Sequence, residues 1–158
     1  MKIQGINPET GAVFQAEAEN VDTSFIDELK KFDMSDGAIR KVIDNLSVSA
    51  DVKSLLYSFT KATIRIGEAI IKVGRKIIDF ICRLVTEHPN ATFGLIFGAI
   101  VGFLISSIAV LGIVLGPLFA PIAMAFGLIG GLSEDVKDKA LARKIDEIKA
   151  SFSPLETK

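Results

Sequence analysis

Between Glu87 and Glu134 the chain carries no charged side chain apart from His88 when protonated, and residues 91–132 are nearly all apolar, glycine or proline. About 42 such residues exceed the roughly 20 that one bilayer-crossing helix needs and suffice for two. Gly94, Gly98, Gly102 and Ser106 recur every four residues in the first half, and Ala123, Gly127 and Gly131 do so in the second. Small residues at that spacing share one helix face and let two backbones approach closely. Pro117 and Pro121 mark a break between the halves. The run therefore predicts a helical hairpin: a first helix over 92–109, a bend over 110–116 permitted by Gly112 and Gly116, and a second helix to 132. Pro117 falls in its first turn, where the missing donor costs nothing.

Charge is segregated along the chain. The 158 residues sum to a net charge of −1, but residues 1–51 carry −5 and residues 52–86 carry +5. Within 52–88, Leu55, Phe59, Ala62, Ile66, Ala69, Val73, Ile77, Phe80 and Leu84 recur at intervals of three and four. That is the spacing of one helical face and predicts a long amphipathic helix. The opposite face holds Lys61, Arg65, Glu68, Lys72, Arg75, Asp79 and Arg83. Two readings of this helix stay open: it packs on the hairpin in a bundle, or it lies in a membrane interface. In the second, Lys61, Arg65, Lys72, Arg75, Lys76 and Arg83 meet anionic lipid headgroups.

The flanking pieces are ordinary by comparison. Residues 2–6 and 12–15 read as two short strands about the turn-forming run Asn7-Pro8-Glu9-Thr10-Gly11. Two short helices follow, one capped by Thr23 or Ser24 and one restarted at Ser35 and Gly37, and together they form a small acidic module over 1–51 that offers a surface to a protein partner. Pro89 ends the basic helix and Asn90 caps the next. Asn90-Ala91-Thr92 matches a glycosylation acceptor, but without an N-terminal apolar signal the capping role is preferred. Ser133-Glu134-Asp135 starts a charged C-terminal helix within 133–158. Lysines and arginines flank the hairpin on both sides and are absent from its bend. The positive-inside rule then places both termini in the cytoplasm, as for a bacterial inner-membrane protein.

Chemistry finds little to use. With one histidine and one cysteine there is no metal-ligand cluster, nucleophile constellation or phosphate-binding loop, so neither an enzyme nor a cofactor is expected. Cys82, beside Phe80 and Ile81, reads as a packing thiol. The basic face lacks interleaved aromatics, which argues against nucleic acid.

Gly94-x3-Gly98-x3-Gly102 resembles the glycine zippers of channel-forming bacterial effectors and toxins, and the two-lobed apolar run is similar to the hairpins of colicin-like pore formers and holins. The resemblance covers about 45 residues and is architectural. The chain departs from colicin pore domains in lacking their many surrounding helices, and from resident membrane proteins in having no tryptophan. The resemblance implies a mainly α membrane protein that oligomerises through the zipper and forms a pore or permeabilises a bilayer. The alternative is a non-conducting anchor or structural subunit. A third reading folds the −5 module onto the +5 helix as an autoinhibitor.

Overall fold

A helical stripe and a strand pattern overlap in the basic segment, and the strand pattern wins in its middle. Ile64, Ile66 and Ile71 are buried while Arg65 and Ile70 are exposed, the alternation of a half-buried strand. Gly67 supplies the turn with φ +61°, a conformation that favours glycine. The expected helix over 52–88 is thus two helices separated by a hairpin. The computed structural model describes residues 2–7, 11–19, 21–31, 35–89, 92–126 and 138–156. In chain order these form β1 (Lys2–Ile6), β2 (Val13–Glu17), α1 (Thr23–Lys30), α2 (Asp36–Asp44), α3 (Ala50–Thr60), β3 (Ile64–Ile66), β4 (Ala69–Ile71), α4 (Val73–Glu87), α5 (Phe93–Ser107), α6 (Ala109–Ala125) and α7 (Lys139–Ser151), with a 3-10 turn at Ser153–Leu155.

The strands make one antiparallel sheet in the order β2-β1-β3-β4. Its registers pair Ile3 with Ala16, Gly5 with Ile64, and Ile64 with Ile71. The inner face rests on α6 through β1. A Cβ on Gly5 would stand 2.7 Å from a methyl of both Val110 and Val114, so only glycine lets strand and helix approach this closely.

The charge-free run corrects the membrane reading. None of the described helices is long and apolar enough to cross a membrane. Helices α5 and α6 have 15 and 17 residues, about 22 and 26 Å at 1.5 Å per residue, short of a hydrocarbon core of about 30 Å. They also have a protein shell: α3, β1 and β2 pack on α6, and α4 and α7 pack on α5. The surrounding helices expected to be absent are present as α3, α4 and α7. The expected transmembrane hairpin, and the inner-membrane location with its cytoplasmic termini, fall with the spans on which the positive-inside rule depends.

The bend moves as well. Helix α5 ends at Ser107, Ile108 alone is extended (φ −122°, ψ 110°), and α6 begins at once. Gly112 serves this corner, for its Cβ would lie 2.9 Å from the Ile105 carbonyl oxygen, whereas nothing lies within 4 Å of a Cβ on Gly116. Pro117 and Pro121 sit inside α6 instead of opening it. Each lacks the donor for the carbonyl four residues back. Ile113, Ala120, Pro121 and Met124 are exposed and Pro117 half-buried, so the prolines occupy the outward side of α6.

Local capping follows short-range chemistry. Asp22, Ser35, Ser49 and Thr92 accept from the backbone N–H three residues on, at 2.8, 3.1, 3.2 and 3.1 Å. The expected caps at Thr23 or Ser24 and at Asn90 are thus displaced to Asp22 and Thr92. The start proposed at 133–135 lies outside the described residues, and Asp138 caps α7.

Helix α4 crosses α3 at Gly74, where a Cβ would meet the Phe59 carbonyl oxygen at 1.9 Å. Backbone cannot yield as a side chain does. Gly74→Ala is expected to lower stability by about 2–4 kcal/mol in urea unfolding. Gly37→Ala, whose nearest contact is 3.9 Å away, should leave the midpoint nearly unchanged. Equal midpoints for the two variants would contradict this crossing.

Candidate functional site: a basic cleft

The crossing of α3 and α4 opens outward into a cleft of about 720 Å³ lined by Gly37, Ile39, Arg40, Tyr57, Thr60, Lys61, Thr63, Lys72 and Arg75. Three parts of the fold deliver its cations. Arg40 comes from α2, Lys61 is the C-terminal cap of α3, and Lys72 and Arg75 open α4. The β3–β4 hairpin folds the chain back so that its two ends, Thr63 and Lys72, both reach the cleft just beyond the last ladder pair, Ile64 with Ile71. No carboxylate is among the described lining residues.

The hydroxyls are already engaged within the protein. Tyr57 donates to the Asp44 carboxylate, Thr60 to the Tyr57 carbonyl at 2.6 Å, and Thr63 to the Lys61 carbonyl at 2.9 Å. The Arg40 guanidinium stacks over Tyr57, 5.5 Å from the ring centroid, and is steadied there. The other polar side chains that line the cleft are the cations Arg40, Lys61, Lys72 and Arg75, of which Arg75 is also engaged within the protein. Helix α4 adds to their charge. A helix N-terminus is the positive end of the backbone dipole and favours acids, yet the first turn of α4 holds none and follows Lys72.

Of the six cations expected to meet lipid headgroups, the fold gathers Lys61, Lys72 and Arg75 and disperses the others. Arg65 lies on the outer face of β3. Lys76 is only 8% exposed; its Nζ donates to the Lys31 carbonyl at 2.6 Å and stands 5.1 Å from the Phe80 ring. Arg83 lies 3.0 Å from Asp79. No local sequence pattern marks Arg40, Tyr57, Thr60 or Thr63. The usable signal was a pair of cations, Lys72 and Arg75, at a helix start, visible only once the β-hairpin before it is recognised.

Among the described residues the small-residue positions differ in exposure. Gly94 and Gly98 are buried in α5, and a Cβ on Gly94 would press on the Phe126 ring at 2.9 Å, a contact within the chain. Gly102 is half-buried, and Ser106 is exposed and donates to the Phe103 carbonyl at 3.0 Å. Ala123 is buried in α6, while Gly127 and Gly131 lie outside the described residues.

Asp79 was expected on the solvated face of the basic helix and is instead 1% exposed. Arg83 is near, but neither carboxylate oxygen accepts a well-formed hydrogen bond among the described residues. Desolvation raises its pKa, and the attraction of Lys76 only partly opposes this. The same burial, with Asp79 adding repulsion, pushes the Cys82 thiol up to about 11.

No protein-family model, curated protein or solved structure matches this chain.

Two measurements check the α4 environment. Since the folded state favours protonated Asp79, the stability it contributes is full below the ordinary carboxylate range and is lost as pH rises through its raised folded value. Relative to the parent protein, Asp79→Leu is accordingly expected to gain Tm as pH rises from 4 to 7. A gain that does not shrink on acidification would contradict the raised pKa. Cys82 should react with iodoacetamide at pH 8 on the order of a hundredfold more slowly than an exposed cysteine, with denaturant abolishing the difference.

Proposed function

We propose that the protein is a binding module that holds a multiply charged phosphate group in the cleft between α2, α3 and α4. The observation that carries this reading is the convergence of Arg40, Lys61, Lys72 and Arg75 on one concavity. Cations at a helix start work against the dipole by about 0.3–1 kcal/mol each, a cost that a bound anion reverses. Arginine offers a planar fork to phosphate oxygens and lysine a mobile point charge, so the mixture suits a ligand of several oxygens. With the hydroxyl protons committed to protein acceptors, selection rests on charge, and the role proposed is binding, not catalysis.

The described helices offer no membrane span to a pore or a transmembrane anchor. A lipid headgroup and a soluble phosphate compound present the same chemistry to this cleft, so anionic lipid is one of the two sources the proposal allows.

Calorimetric titration with inorganic pyrophosphate in about 0.15 M salt tests the proposal. Binding is expected to weaken as salt rises, and the variant carrying Lys72→Glu and Arg75→Glu should lose at least about tenfold in affinity. Its circular dichroism should match the parent protein. Absent binding, or binding that the double variant retains, refutes the proposal. Co-sedimentation with vesicles containing phosphatidic acid, competed by pyrophosphate, identifies a headgroup as the source; no co-sedimentation identifies a soluble ligand.

A further inference from the structure

The basic cleft does not end at Lys61 and Thr63. Both residues also line an adjoining groove of about 410 Å³, together with Gln4, Ile6, Arg65 and Ile70. This groove lies on the outer face of the sheet, where alternation sends Ile64, Ile66 and Ile71 inward and Arg65 and Ile70 outward. Ile6 is 51% exposed and Ile70 62%. Isolated exposed aliphatics need no explanation, but these two line one channel that shares Lys61 and Thr63 with the cation-lined cleft. Ile70 also stands on β4, the edge strand of the sheet, where exposed apolar side chains invite unwanted pairing and are usually replaced by charge.

We propose that the ligand is an amphiphilic phosphomonoester: its phosphate occupies the cleft of Arg40, Lys61, Lys72 and Arg75, and its single apolar chain runs past Thr63 along Ile6 and Ile70. This rests on the phosphate-binding reading above and adds the class of ligand. Lys61 is the hinge of the arrangement. Its ammonium reaches the phosphate from the shared wall while its aliphatic stem extends the apolar floor, the usual division of labour in a lysine side chain. Arg65 stands on β3, the strand between those of Ile6 and Ile70, with Gln4 and Ile70 as its cross-strand partners, so the channel admits one chain running beside a cation.

Ethyl phosphate and octyl phosphate, the latter kept below its micelle threshold, separate the two claims. Octyl phosphate is expected to bind at least about tenfold more tightly, since each methylene removed from water favours the complex. Ile70→Ser should bring octyl phosphate down to the affinity of ethyl phosphate, and Ile6→Ser provides a second variant on a different strand. The variant with Lys72→Glu and Arg75→Glu should lose both ligands. Equal affinity for the two phosphates overturns the amphiphile inference and leaves the phosphate reading standing. A chain-length advantage that survives both serine variants, or octyl phosphate binding that survives the charge reversal, also overturns it. Failure of both phosphates to bind removes the phosphate reading itself, and the inference with it.

Discussion

Phe97 is the contact on which the rest of the structure depends. Its ring lies 5.4 Å from Phe59 of α3, 6.1 Å from Phe93 of its own helix, and 5.7 and 6.2 Å from Phe119 and Phe126 at the end of the hairpin. Each aromatic pair adds about 0.5–1.5 kcal/mol beyond the area it buries. The cluster therefore does more than close α5 on α6. Through Phe59 it fastens the charge-free hairpin to a helix from the charged half of the chain. Without that attachment two helices of almost purely apolar surface would face water, and no polar face of their own could compensate.

From that anchor the cleft follows by backbone geometry. Phe59 supplies a ring to the core and a carbonyl to the crossing, where Gly74 brings α4 against α3. Gly5 seats β1 on Val110 and Val114, β1 carries β3, and β3 carries β4, so the loops at the cleft are held from both sides. Cations crowded around one concavity repel each other, and flexible loops would let them separate. Here Lys61, Lys72 and Arg75 are attached to elements whose positions the apolar core sets, which limits how far they can separate.

Legibility in the sequence tracked the range of the interaction. The helix start at Ser35 is visible in the sequence because a cap and its N–H lie three residues apart. The turn chemistry around Asn7 and Gly11 was visible for the same reason, and Gly11 N–H does donate to the Asn7 carbonyl at 2.9 Å. The basic segment is ambiguous in sequence because Ala62, Ile66, Ala69 and Val73 satisfy a period of 3.6 while Ile64, Ile66, Ile70 and Ile71 belong to a strand hairpin. Helical counting ignored the β-branched crowding and Gly67 that decide for the hairpin. The site was partly legible: three of its four cations were already singled out, but Arg40 sits 21 residues before Lys61 in an acidic stretch and no local pattern joins them.

What the sequence alone determined is that residues 91–132 must leave water, that charge is segregated along the chain, and where several helices begin. What only the tertiary structure decided is which solvent the hairpin leaves water for, and which cations become neighbours. A leucine or phenylalanine is satisfied equally by hydrocarbon tails and by other side chains, so an apolar run specifies burial without specifying what buries it. The answer lay in Phe59, Val73, Ile77 and their neighbours, whose apolar faces supply the cover once the chain turns back at Gly67. That same reversal brings Lys72 and Arg75 to Lys61, an arrangement set by the fold and not by spacing along one helix.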